Sequence, residues 1–131
     1  SFEVAKRAIA MGILPHTISS DIYCRNRING PVGSLASVMS KFLAIGMSLP
    51  QVIDCVTANA ADGLRLARKG RIQPGLDADL TLFTLKRQPT LLVDAENDSL
   101  QAEHILVPLA AIRAGKGYMT EQGSTEHAFD L

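Results

Sequence analysis

The sequence predicts an α/β fold, with a helical first half and a β-rich second half joined near residues 70 to 75. Three observations carry this reading. Leu35, Val38, Met39, Phe42 and Leu43 recur at spacings of three and four, which builds one apolar stripe along a helix. After Lys69 that periodicity ends, and Gly70, Pro74 and Gly75 punctuate the chain. Beyond them come short apolar runs separated by polar turns, the pattern of strands.

Taken in order, residues from about 2 to 11 read as a helix, with Phe2, Ala5 and Ile9 on one face, Lys6 and Arg7 on the other, and Gly12 closing it. Ile13-Leu14 and Thr17-Ile18 lead into a short strand ending near Asp21, the second half of a βαβ unit. The loop from Ile22 to Gly33 is polar, with a turn at Gly30-Pro31. Ser34 is placed to cap the striped helix, and Gly46 ends it. Ser48-Leu-Pro-Gln51 has the form of a capping box, with Pro50 in the first turn, where its missing N–H does no harm. Val52, Ile53 and Val56 give that helix a buried side. A third helix is expected from Asn59, as N-cap, to about Leu66. Strands are expected at Leu80–Leu85, Leu91–Val93, His104–Val107 and Leu109–Arg113, with Pro108 forming a bend or edge between the last two. Ala114-Gly-Lys-Gly117 is a hairpin-type turn before Tyr118-Met119, and the tail from Glu121 is polar.

Composition narrows the function. The chain has 131 residues, 47% of them apolar, enough for a real core. Lys+Arg and Asp+Glu both number 13, so the net charge is zero and nothing draws nucleic acid or an anionic membrane over long range. No apolar run approaches the roughly 18 residues of a membrane span. Cys24 and Cys55 form neither a CxxC pair nor a disulfide framework, which fits a cytoplasmic protein. The chain starts at Ser1 and inside a helical pattern; it reads as a C-terminal fragment, with a processed start or tag scar as the alternative.

The residues that carry chemistry are few. Asp21, just past an apolar run, suits a turn cap; at a barrel strand's C-terminal end the same carboxylate can bind a metal or move a proton. Its partners are not visible. A catalytic zinc takes about three protein ligands, and His16, His104 and His127 form no HxH or HxxxH pair. Ser19, Ser20 and Cys24 lack a paired histidine and orienting acid. Arg25, Asn26, Arg27 and Asn29 read either as a solvated loop or as a substrate-facing one, with an arginine able to grip a carboxylate at two points.

The segments GILPHTISSDIY, MSKFLAIGMSLPQVIDCVTANAADGLRL and KGRIQPGLDADLTLF, in that order, resemble the C-terminal part of the amidohydrolase superfamily, nearest to the bacterial dihydroorotase-like and deacetylase metallohydrolases. VPLAAIRAGKGY resembles the last strands of the same proteins, so the likeness runs to about Tyr118. It implies the C-terminal part of a (β/α)8 barrel over residues 1–70, the C-terminal strands of a small β-sandwich over 71–120, and a polar tail over 121–131. Asp21 matches the family's aspartate at the end of the eighth strand, which binds the metal and shuttles the proton; Arg25 and Asn29 would face the substrate. The implied cofactor is a divalent metal, zinc being the expected one, in the full-length enzyme, with none bound to this chain alone. The family's other metal ligands belong upstream.

The leading expectation is therefore a metal-dependent hydrolase of C–N bonds in a cyclic amide or N-acyl amino compound, of which this chain is an inactive portion. Its expected partners are a small amide substrate, its own copies and the missing N-terminal part. The alternatives are a hydantoinase-like branch of the same superfamily and a non-catalytic β-rich binding or oligomerisation module.

Overall fold

The computed structural model describes residues 1–22 and 33–122. Helix α1 spans Phe2–Ala10 and buries Phe2. Helix α2, Leu35–Ala44, starts where Ser34 accepts the Ser37 N–H at 3.1 Å, the cap read from sequence. Helix α3, Leu49–Val56, carries the full capping box: Gln51 Oε1 accepts the Ser48 N–H at 2.9 Å and Ser48 Oγ accepts the Gln51 N–H. Helix α4 runs over Ala58–Gly63, shorter than expected, and its N-cap position is Thr57 rather than Asn59. The Thr57 hydroxyl donates to Ile53 O in the preceding helix, so the chain turns one residue after α3 ends, and Asn59 falls inside α4 with its side chain free to reach elsewhere.

The chain after α4 folds back against it. Gly70 has φ +78°, and a Cβ there would sit 2.6 Å from Thr57 O and 2.7 Å from Ala61 Cβ, so only glycine permits this approach. Arg71 then grips Asp62 with two bonds of 2.9 and 2.7 Å. Further on, Arg68 and Lys69 pair with Asp77, and Lys69 with Asp79, whose Oδ1 accepts the Ala114 N–H. These exposed ion pairs pin the connection to the sheet and add little to stability individually.

The four short strands expected from sequence are two long ones. β1 spans Leu80–Val93 and β2 spans Ser99–Arg113; with β3, Lys116–Met119, they form an antiparallel sheet in the order β1-β2-β3. The breaks in the sequence pattern are bulges, not ends. Register shifts fall between Leu82 and Phe83, opposite the Pro108–Ala110 stretch, and between Arg87 and Thr90, around Pro89. A proline lacks the N–H a ladder needs, and a bulge leaves one residue unpaired, so the two coincide without ending the strand. The β2–β3 connection is a two-residue turn with Ala114 and Gly115 at φ +50° and +80°, the geometry of a type I′ hairpin.

Two core clusters join the halves. One gathers Ile18, Met39, Met47, Val52, Cys55 and Leu106; the other Phe2, Ile45, Leu92 and Ala102. The apolar stripe of α2 is less covered than expected. Met39 is buried, Val38, Phe42 and Leu43 are half-buried, and Leu35 is exposed. The reason is that α2 packs on β2 along a narrow seam, whose centre is polar. Ser40, 1% exposed, donates to Ala36 O at 2.7 Å and accepts the Leu106 N–H at 2.9 Å. A second polar tie lies at the β1–β2 turn. The buried Asp94 carboxylate accepts the Phe2 N–H at 2.6 Å, capping α1 from 92 residues away, and also the N–H groups of Glu96 and Asp98.

These two ties give two predictions. Ser40→Ala leaves the Leu106 N–H buried without an acceptor, and urea denaturation is expected to show a loss of about 1–3 kcal/mol; a change under about 0.5 kcal/mol would mean that water replaces the hydroxyl. The Phe2 N–H, followed by those of Glu96 and Asp98, holds the Asp94 carboxyl below the usual carboxylate range. The folded state thus favours the ionised form, so this contribution is present above the unfolded value of about 3.9 and is lost as pH falls through the folded one. Denaturation series from pH 7 to pH 3 are expected to fall less steeply for Asp94→Asn than for the parent chain. Equal slopes would exclude Asp94 as a source of acid lability.

Candidate functional site

Asp21 ends a run without helix or strand that begins after Gly12 and bends at His16. No strand forms over residues 13–22, contrary to the sequence expectation, because a strand exists only by pairing and among the described residues none runs beside this one. The segment is held instead by α3 and α4. The Ile18 N–H donates to Cys55 O at 3.2 Å, the Cys55 thiol donates to Pro15 O at 3.1 Å, and Asn59 Nδ2 donates to His16 O at 2.9 Å. Ile18 itself is buried in the larger cluster with Met39 and Val52.

Asp21 adopts φ +49°, in the left-handed region that aspartate enters more readily than most residues. Asp21 lines a groove of about 290 Å³ with Ser19 and Ser20, Phe2 and Ala5 from α1, Val38, Lys41, Phe42 and Ile45 around α2, and Asp94 from the β1–β2 turn. Lys41, Asp21 and Asp94 therefore line the same space. Burial holds the Lys41 ammonium below its ordinary range, and the nearby Asp94 charge opposes that shift.

The other sequence candidates fall elsewhere. Arg25, Asn29 and Cys24 lie outside the described residues, as does His127. His16 is exposed and enters the structure through its carbonyl. His104 is exposed on β2, opposite Arg87. Sequence reasoning missed Asp94, although its setting carried a signal: Asp94-Ala-Glu-Asn-Asp98 follows an apolar run, the composition of a turn in which aspartate accepts N–H groups two residues on.

A catalytic metal needs more than this chain's described residues bring together. Among them, one group of three donors lies within 4.8 Å, Asp94, Glu96 and Asp98, and Asp21 is not in it. That trio sits at the β1–β2 turn, where Asp94 also accepts the N–H groups of Phe2, Glu96 and Asp98. Asp21 alone supplies one ligand where about three are required.

Comparison with known proteins fits this picture of a part. A model of the amidohydrolase family matches residues 2–116. A deacetylase from Enterococcus faecalis is 38% identical over 118 residues, which are 90% of this chain and 32% of that protein. The crystal structure of an adenine deaminase superposes with a TM-score of 0.88 at 38% identity, over 92% of this chain and 33% of the other. That of a dihydroorotase does so with a TM-score of 0.84 at 34% identity, over 91% and 32%. The chain thus spans about a third of the length of the proteins it matches.

Metal content is the direct check on the donor argument. After incubation with zinc and dialysis, this chain alone is expected to retain well under one equivalent. One tightly held zinc per chain would point to the Asp94, Glu96 and Asp98 group, or to ligands outside the described residues, rather than to Asp21.

Proposed function

This chain belongs to the amidohydrolase family, and on that premise we propose that it is the C-terminal portion of a metal-dependent hydrolase of C–N bonds. Its relatives are hydrolases acting on such bonds. The substrate class we assign is a cyclic amide or an N-acyl amino compound. The observation that carries the reading is the match of nine-tenths of this chain to a deacetylase at 38% identity, with Asp21 inside the matched family region.

In this reading residues 1–70 complete a (β/α)8 barrel and residues 71–120 form part of a small sandwich. Support comes from the three-stranded antiparallel sheet, whose β1 flank has no neighbouring strand among the described residues. Asp21 is the proton carrier: its carboxylate takes a proton from the attacking water and hands it to the nitrogen as the C–N bond breaks. Both transfers require the carboxylate within hydrogen-bond reach of the reacting atoms, so its placement matters as much as its chemistry. A divalent metal, zinc first, and the remaining ligands belong to the rest of the enzyme. Arg25 and Asn29 are assigned to the substrate side of the same loop. The chain on its own is inactive and associates with the missing part or with its own copies. A cytoplasmic setting accords with the free, buried Cys55.

In the full-length enzyme, Asp21→Asn is expected to lower turnover of an N-acetylated amino compound, or of a cyclic amide, by about 10²–10⁴-fold, while metal content is retained at least in part. Turnover within about twofold of the parent would remove Asp21 from the mechanism.

A further inference from the structure

The run that leads to Asp21 is fixed by three hydrogen bonds within four residues, all directed at backbone atoms. Pro15 O, His16 O and the Ile18 N–H are met by the Cys55 thiol, the Asn59 amide and the Cys55 carbonyl. Asp21 follows Ile18 by three residues, at most about 10 Å of backbone, so fixing Ile18 limits where Asp21 can lie. We propose that Asn59, seconded by Cys55, is a positioning residue for Asp21: its side-chain amide sets where the run before Asp21 lies, and so where the carboxylate meets the reacting atoms. This rests on the role given to Asp21 above.

Several features favour placement over mere scaffolding. Asn59 is not the cap of its helix; its amide reaches across 43 residues to a carbonyl. The helix that bears it is itself locked, by Gly70 against Thr57 O and by the paired bonds of Arg71 to Asp62. The second donor is chemically competent at neutral pH. Burial, with the Asp54 charge, raises the Cys55 thiol, so its proton stays on sulfur and is available to Pro15 O. Proton transfer is intolerant of displacement: an error of about 1 Å can cost on the order of 10²-fold in rate. A donor that fixes the approach to Asp21 therefore acts on turnover more than on substrate affinity.

The test compares variants of the full-length enzyme assayed with an N-acetylated amino compound. Asn59→Asp is nearly isosteric but sets a carboxylate oxygen against His16 O, so the donor is lost and a repulsion gained. It is expected to lower kcat about tenfold or more with KM within about twofold. Asn59→Gln, which keeps the amide, is expected to recover part of the loss. In this chain by itself, hydrogen exchange at the Ile18 N–H is expected to quicken in Asn59→Asp. Should Asn59→Asp fail to fold, Cys55→Ala against Cys55→Ser makes the same comparison at the neighbouring donor, with serine retaining activity that alanine loses. Unchanged kcat, or a loss of kcat that follows melting temperature and is not relieved by Asn59→Gln, overturns the inference while Asp21→Asn still abolishes turnover. Near-normal turnover in Asp21→Asn overturns both.

Discussion

The bond between the Ser40 hydroxyl and the Leu106 N–H is the constraint on which the two halves of this chain depend. An N–H points to one side of its strand. That of Leu106 points away from β1, and β3 covers only Ala110–Arg113 of β2. The rest of that flank would present unpaired backbone, so α2 is laid against it with a hydroxyl where an apolar residue would leave the donor unmet. Ser40 satisfies its own hydrogen by donating to Ala36 O, so both partners can be buried at once. Around this polar point the apolar contacts divide, Met39 and Leu106 to one side, Ile45 and Ala102 to the other. The seam is narrow for the same reason, and the flanks of the α2 stripe stay half-covered.

What was legible in the sequence was local. Ser34 and the Ser48–Gln51 pair are signals written within three residues, and both caps form as read. The turn at Ala114-Gly115 is equally short-range. The expectations that failed needed distant information. Pro108 and Pro89 break the pattern of a strand, but whether they end it or sit in a bulge is decided by the partner strand. The run to Asp21 has the composition of a strand and finds no neighbour among the described residues. Asn59 has the side chain of an N-cap, yet Thr57 occupies that position, because the hydroxyl bond to Ile53 O fixes the turn earlier. At the site, Asp21 could be singled out as a carboxylate at the end of an apolar run. The groups that hold its approach lie 40 and 43 residues beyond the carbonyls they meet, at Pro15 and His16, and leave no mark at Asp21 itself.

Asp94 shows how the sheet takes part in the site rather than hanging from it. Its carboxylate closes the β1–β2 turn through Glu96 and Asp98 and caps α1 through Phe2, so a turn of the sheet sets where α1 begins. α1 in turn delivers the chain to Gly12 and the run toward Asp21. The same carboxylate lines the groove that Asp21 lines, with Lys41 between the elements that carry them. A change at the hairpin is thus felt at two places, the origin of α1 and the field on Lys41.

The exposed apolar residues point the same way. Val4 and Met11 on and after α1, and Ile13 and Leu14 on the run that follows, are 65%, 75%, 60% and 42% exposed, whereas Ile18 a few residues later is buried. Exposure is therefore concentrated on the first part of the element that approaches Asp21, and burial on the part clamped by α3 and α4. Single exposed apolar residues are ordinary, but four within eleven positions of one continuous stretch are a surface that water covers at a free-energy cost. The clamp acts through Pro15, His16 and Ile18, so the part of the approach nearest Asp21 is the part that α3 and α4 hold.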